Sequence, residues 1–445
     1  MKPHLRRLLL LLFWLVELPL IVVGALLVLA WLWSGSDESL ATALARASRY
    51  LPAGQTLVAE DVRGSLRHGG HIGSLRWDNN GLTVQARQIE LVWRPIALLD
   101  RRLQLDTLHV AELRIDDRRP ASAPAPLDQL VLPFQVDLSF AIDQLRWAGP
   151  PALEARALTG RYRFDNRNHV LKLDSAQVAD GSYQAQAQLL ARAPMTLDLQ
   201  VQGKVRAPAG GNRTLALDAA ASLRGALAGP DVLLDLSAQL RPGKASPNAA
   251  MSAAVTAQIS PWAAQPVRKG QADFAQLNLA AFLKDAPQTL LTGNAQVQPQ
   301  GDNWQAQIKV DNRLAGPIDK DRIPVESANA RVEYAAGRWN IESLDANGAG
   351  GHVRVQGKLG EVASLAALSG WQGQAQLRGI NPALLHSQLA PARLDGELQA
   401  SASNQAITFD ATLQPSGPQP ARSPLQGLRL RTASAKGQWA SGWLR

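Results

Sequence analysis

The sequence predicts a mainly β protein: one N-terminal transmembrane helix, then a long antiparallel β-sheet curled about one apolar face, with a few short helices. Three observations carry this. Leu8–Trp33 is an unbroken 26-residue apolar run with a single charge. From Leu57 onward aliphatic residues recur at every second position, the period of a half-buried strand. Aromatic residues make up only 5% of 445 residues while Ala, Gln and Leu abound, a composition that suits long one-sided sheets better than a thick globular core.

The run Leu8–Trp33 comes first. As a helix it would cover about 39 Å, enough to cross a hydrocarbon layer of about 30 Å with some tilt. Lys2, Arg6 and Arg7 precede it, and Asp37 and Glu38 follow, which places residues 1–7 in the cytoplasm and the bulk of the chain across the membrane. Leu8, Trp14, Glu17, Pro19, Trp31 and Trp33 mark this anchor, residues 8–33. Trp31 and Trp33 suit the far interface, Pro19 predicts a kink, and Glu17 is suited to a partner helix or a tilted interface. The competing reading is a cleaved signal peptide. Its apolar core would be shorter, and Trp31-Leu32-Trp33 stands where small residues would be needed.

Residues 34–52 follow as a short amphipathic segment. Leu40, Leu44, Ala47 and Leu51 share one side of a helix over 36–51, which Pro52 and Gly54 end. Residues 53–445 then form the repeat-built β region. Asn80-Gly81 between alternating runs predicts a hairpin. Pro95 opens a short helix to Leu99, and the phase shift at Leu108 and Val110 predicts a bulge. No alternation of helix and strand patterns appears, which argues against a parallel α/β sheet.

The chain also repeats. Gly270, Asn278 and Gly293 are spaced as Gly373, Asn381 and Gly396 are, at an offset of 103 residues. Each unit reads strand, asparagine helix cap, short helix, glycine, strand. A looser echo relates 171–185 to 339–355, with a turn about two residues longer in the second copy.

Catalytic signatures are missing from the sequence. There is no cysteine, so disulfides, thiolate metal sites and cysteine nucleophiles are excluded. No phosphate loop, dinucleotide fingerprint, zinc-protease or serine-hydrolase motif occurs. His68 and His71 flank a glycine pair without a third ligand nearby, which reads as a loop. The net charge of +9 is spread without a basic arm, so nucleic acid is not expected as a partner. Neither an enzyme nor a cofactor is expected.

What remains is the aliphatic face. Its candidates are Leu197, Leu199, Val201, Leu215, Leu217, Leu234, Leu236, Leu240, Ile308, Val310, Val353, Val355, Ile407, Phe409 and Leu413. A sheet curled around such a face would shield acyl chains, whose transfer out of a bilayer costs about 0.8 kcal/mol per methylene. Two sheets packed face to face would use the same alternation to make a dry sandwich. Periodicity alone leaves both open, along with a scaffold that guides secreted proteins by β-augmentation.

The ordered series Leu51-Pro52-Ala53-Gly54, Val62-Arg63-Gly64-Ser65-Leu66, Ile89–Trp93, Arg94-Pro95-Ile96-Ala97-Leu98-Leu99 and Leu108-His109-Val110, placed after an apolar anchor, resembles the TamB branch of the AsmA-like proteins. The repeated units from Leu277-Asn278 and Leu291-Thr292-Gly293 are similar in style. The resemblance implies a U-shaped antiparallel groove anchored in the inner membrane of a Gram-negative cell and reaching through the periplasm. It implies phospholipid as cargo, a role in outer-membrane biogenesis, and an Omp85-class outer-membrane barrel as partner. It also implies involvement in outer-membrane protein assembly or autotransporter secretion. Family members are longer and meet the barrel through a C-terminal part, so the chain is expected to be an N-terminal fragment. A plain structural β-protein is the remaining alternative.

Overall fold

The computed structural model describes residues 28–445, except 120–124, 150–151, 210–212, 244–250, 264, 282–285, 302, 336–337, 360–369, 404–405, 417–431, 441–442 and 445. The chain is mainly β, as the alternation predicts. Residues 28–34 are helical, but Leu8, Trp14, Glu17 and Pro19 lie outside the described residues. Among the described residues no helix is long and apolar enough to cross a membrane. The predicted helix over 36–51 is shorter than expected. It runs Ser39–Ala47 and tightens to a 3-10 turn at Ser48–Tyr50, because Ser36 closes its own turn onto the Trp33 carbonyl.

The contact pattern divides the chain into two units. The first holds eight strands: β1 Gln55–Ser65, β2 Gly69–Asn79, β3 Leu82–Trp93, β4 Arg102–Asp117, β5 Gln135–Trp147, β6 Leu153–Phe164, β7 Asn168–Val178 and β8 Gly181–Leu190. Each pairs with the next in sequence. Asn80 and Gly81 make the β2–β3 turn with φ of 46° and 98°, the left-handed pair that matches strand twist. A 3-10 helix, Pro95–Asp100, opens on Pro95 as expected. The register slips where β3 and β5 meet β4, between Leu105 and Leu108, which is the predicted bulge. One pairing departs from expectation: β4 and β5 run parallel. The connection from 118 to 134 is long enough to carry the chain back along the ladder, which a hairpin could not do.

The apolar side chains of this unit meet in two clusters. Ile72, Ala86, Ile89 and Val110 are buried, and Leu44 of the helix packs on them. Val136, Phe164 and Ala191 form the second, closed by Leu132. The strap before β5 reaches across to β8 there: Leu130 N–H donates to the Ala191 carbonyl at 2.8 Å and the Leu130 carbonyl meets His169 Nε2 at 2.7 Å.

The second unit holds β9 Thr196–Ala209, β10 Arg213–Ala226, β11 Leu234–Pro242, β12 Ser252–Ile259, β13 Val267–Leu277, β14 Leu291–Gln300, β15 Asn303–Asn312 and β16 Val325–Ala335. It continues with β17 Arg338–Gly348, β18 Gly351–Leu359, β19 Gln372–Ile380, β20 Leu394–Ser403, β21 Ala406–Pro415, β22 Ala433–Ala440 and β23 Trp443–Leu444. Every described ladder in it is antiparallel and joins sequence neighbours. No described ladder joins β9 to β23, so this sheet is open. The short helices Leu279–Ala281, Ile318–Lys320 and Pro382–Leu385 all follow strands that end at one rim. At that rim Leu279–Ala281 comes within 8 Å, Cα to Cα, of β9. Four strand steps would separate them by about 19 Å in a flat sheet. Leu215, Leu217 and Met251 are buried beneath this contact, so the rim from β9 to β13 folds over the apolar side.

Candidate functional site

The candidate site is the apolar face of the second unit, and register decides whether it exists. Side chains directly opposite across a ladder share a face. Starting at Leu199, the partners run Leu223, Leu236, Ala257, Gly270, Val297 and on through Phe409 to Gly437 on β22. This row crosses fourteen strands with only alanine, glycine, aliphatic and phenylalanine positions. A second row runs from Val201 through Ile308 and Val355 to Ala435, and a third from Gly203 through Leu240, Val310, Val353 and Leu413 to Ala433. Neither contains a polar residue.

All fifteen predicted positions fall on this one face. Leu199, Leu236 and Phe409 stand in the first row; Val201, Ile308 and Val355 in the second; Leu240, Val310, Val353 and Leu413 in the third. Leu197 and Leu234 flank Gly225 on one side of the rows, and Ile407 stands opposite Ala402 on that side. Leu215 and Leu217 lie on the other side, under the folded rim.

Burial separates the two architectures that periodicity left open. In a sandwich the inner face is covered by a second sheet. Here only Leu215, Leu217 and Leu234 of the fifteen are buried, and the other twelve are half-buried. Side chains shielded by their neighbours but not covered belong to a concave or open face. The bulges at Phe274/Leu277 and Leu377/Ile380 add local twist along it.

The opposite face is wet. Gln200, Ser222, Ser237, Thr256, Gln271 and Gln296 form one of its rows. Ion pairs lie across its strands: Arg224 to Asp198 at 3.2 Å, Arg354 to Asp345 at 2.8 Å and Lys436 to Asp410 at 2.8 Å. The hydrogen bond from Arg354 holds the Asp345 carboxyl below the usual carboxylate range, and Asp410 raises the Lys436 ammonium. An open hollow of about 730 Å³ lies along β17–β21. Ten of its fifteen lining residues, such as Gln356, Lys358, Gln374 and Thr408, stand at polar-side positions, and the other five, Ile341, Gly357, Gly373, Ala400 and Phe409, belong to the first apolar row.

The first unit has a comparable face that the sequence candidates did not include. Val62, Ile72, Ile89, Val110, Ile142 and Leu158 form one row across six strands. Its polar side carries Arg161 on Asp137 at 2.7 Å, which lowers the Asp137 carboxyl. The signal that could have found this row is the same aliphatic alternation; in the second unit Ala and Gly continue the rows between the larger aliphatics and carry little signal of their own. His68 Nδ1 meets Ser65 Oγ at 3.2 Å at a hairpin tip. Among the described residues no group of three His, Asp or Glu gathers to hold a metal.

No family model, curated protein or solved structure matches the chain.

Proposed function

We propose that the chain is a membrane-anchored lipid conduit: Leu8–Trp33 holds it in the inner membrane and the apolar face of its periplasmic β region carries phospholipid acyl chains. The single observation that supports this most is the set of three unbroken apolar rows across fourteen strands, mostly half-buried and covered only where the rim folds over near β9 to β13. At a strand spacing of about 4.8 Å such rows extend about 60 Å. A surface of that kind lets a chain slide from strand to strand without meeting a polar group. Each shielded methylene avoids about 0.8 kcal/mol of exposure to water. In this reading the polar face and its ion pairs keep the sheet soluble, the cargo serves outer-membrane biogenesis, and an Omp85-class barrel would receive it.

The test is site-specific photo-crosslinking in cells, with the probe placed at Leu236 or Ile308 and, as control, at Ser237 or Gln307. Phospholipid captured from the first pair and not the second is the expected result. Capture of polypeptide alone from the apolar positions would replace the conduit with a scaffold for outer-membrane or secreted proteins. No adduct at either pair would leave a purely structural sheet.

A further inference from the structure

We infer that one rim of the first ladder, carrying Ile96 and Leu99, lies in the headgroup layer of the same bilayer that receives the apolar helix. The inference rests on the anchor half of the function proposed above. It starts from how the helix end is held. Arg67 N–H donates to the Ser34 carbonyl at 3.0 Å, its guanidinium donates to the Trp31 carbonyl and lies 3.9 Å from the Trp31 ring centre. Ser39 Oγ donates to the Ser34 carbonyl at 3.0 Å and accepts from Leu66 N–H at 2.9 Å. The apolar helix therefore ends on the hairpin tip between β1 and β2, and the joint is made of short polar contacts with no flexible spacer.

That tip belongs to one rim of the ladder. Gly69 beside it is the partner of Val92 at the end of β3, so the 3-10 helix Pro95–Asp100 follows on the same rim. Its Ile96 and Leu99 are 67% and 84% exposed, among the most exposed large apolar side chains described. Phe134 is also exposed, and the next residue is fixed to this rim by Gln135 N–H donating to the Arg101 carbonyl at 2.9 Å. Arg101, Arg102, Arg167 and Arg192 stand on the same rim. The other rim closes on the tight turns Asn80-Gly81 and Ala179-Asp180 and carries Trp147 and Leu153, which at 38% and 44% are less exposed than Ile96 and Leu99.

Apolar tips flanked by arginines are the composition of a surface that enters the acyl boundary while its charges meet lipid phosphates. Trp31 and Trp33 at the helix end supply the belt that sets the depth. An aqueous partner would not require the tips to be level with a membrane helix; a bilayer does. The occupant is the anionic leaflet into which the helix passes.

The absence of cysteine makes the test direct. The full chain is reconstituted in liposomes containing phosphatidylglycerol, with a single environment-sensitive fluorophore at Leu99→Cys, Asn80→Cys or Val28→Cys. Spin-labelled lipid bearing the nitroxide near the headgroup should quench the Leu99 probe several-fold more than the Asn80 probe, and aqueous iodide should do the reverse. If the Val28 probe is in lipid while the Leu99 probe matches Asn80, the rim inference is overturned and the anchor stands. If the Val28 probe is also accessible to iodide, the anchor reading falls, and the rim inference with it.

Discussion

Asn278 and Asn381 stand 103 residues apart and make the same two hydrogen bonds. Asn278 Oδ1 accepts from the N–H of Ala280 at 3.2 Å and of Thr289 at 3.2 Å. Asn381 Oδ1 accepts from Ala383 at 3.2 Å and Ala392 at 3.3 Å. The partners lie two and eleven residues downstream in both cases. The surrounding ladders agree: Gly270 opposes Val297 as Gly373 opposes Ala400, and the bulge at Phe274/Leu277 recurs at Leu377/Ile380. Even the left-handed residue recurs, Gln276 at φ 52° and Gly379 at φ 66°.

Each asparagine both starts a short helix and ties its return to the strand. Asn278→Ala and Asn381→Ala should therefore cost similar amounts, about 1 kcal/mol each, and Asp should restore most of it by offering the same acceptor. Urea denaturation of the two alanine variants and their aspartate counterparts checks this; unequal losses would break the equivalence.

Leu236→Arg distinguishes an open face from a covered one. On an uncovered face the arginine stem lies along the apolar row and its head reaches water, so stability should change by less than about 1 kcal/mol while lipid transfer between liposomes stops. Under a second sheet the unpaired charge would cost about 3–5 kcal/mol. Thermal unfolding read beside the transfer assay separates the two.

Gly293 and Gly396 occupy matching places where neighbouring backbone comes close. An added Cβ would meet the Lys309 carbonyl oxygen at 2.1 Å in one and the Thr412 carbonyl oxygen at 2.2 Å in the other. Gly293→Val and Gly396→Val should each destabilise by about 1–3 kcal/mol, with faster amide exchange in β14–β15 and β20–β21 respectively. Exchange changes elsewhere would contradict the local clash.

Acid should loosen the sheet. Arg119 holds the Asp117 carboxyl down to about 2 from an ordinary 3.8, and Asp137 and Asp345 are lowered by Arg161 and Arg354. A depressed folded-state value means the stabilisation is present above the unfolded value and is lost as pH falls through the folded one. The urea midpoint should hold from pH 7 to near pH 4 and then fall toward pH 2. Asp137→Asn should flatten part of that fall; an unchanged slope would remove the pair as its source.

The asparagine repeat, the Asn80-Gly81 turn, the Pro95 helix and the bulge near Leu108 were legible because each depends on local chemistry: a cap, two left-handed residues, a fixed φ, a slip in period. The aliphatic positions were legible for the same reason, since alternation needs no partner strand. The parallel pairing of β4 with β5 was not, because a connection written in Ala, Pro and Ser does not say at which end of a ladder it delivers the chain. Nor were the alanine and glycine members of the rows, which carry little hydropathy and acquire a face only from the strand beside them. The reach of Leu279–Ala281 toward β9 is set by curvature accumulated over several strands, which no single stretch encodes.

The matched registers at Asn278 and Asn381 also make extent a countable quantity. One 103-residue step advances the sheet by six strands, from β13 to β19, or about 29 Å. It returns the backbone to the same phase, with the same side facing inward. Duplication or loss of one such step would change the span by a whole increment and leave both ends of the join in register. Reach is then inherited as a number of modules, and selection for a wider or narrower gap can act on that number without redesigning a core.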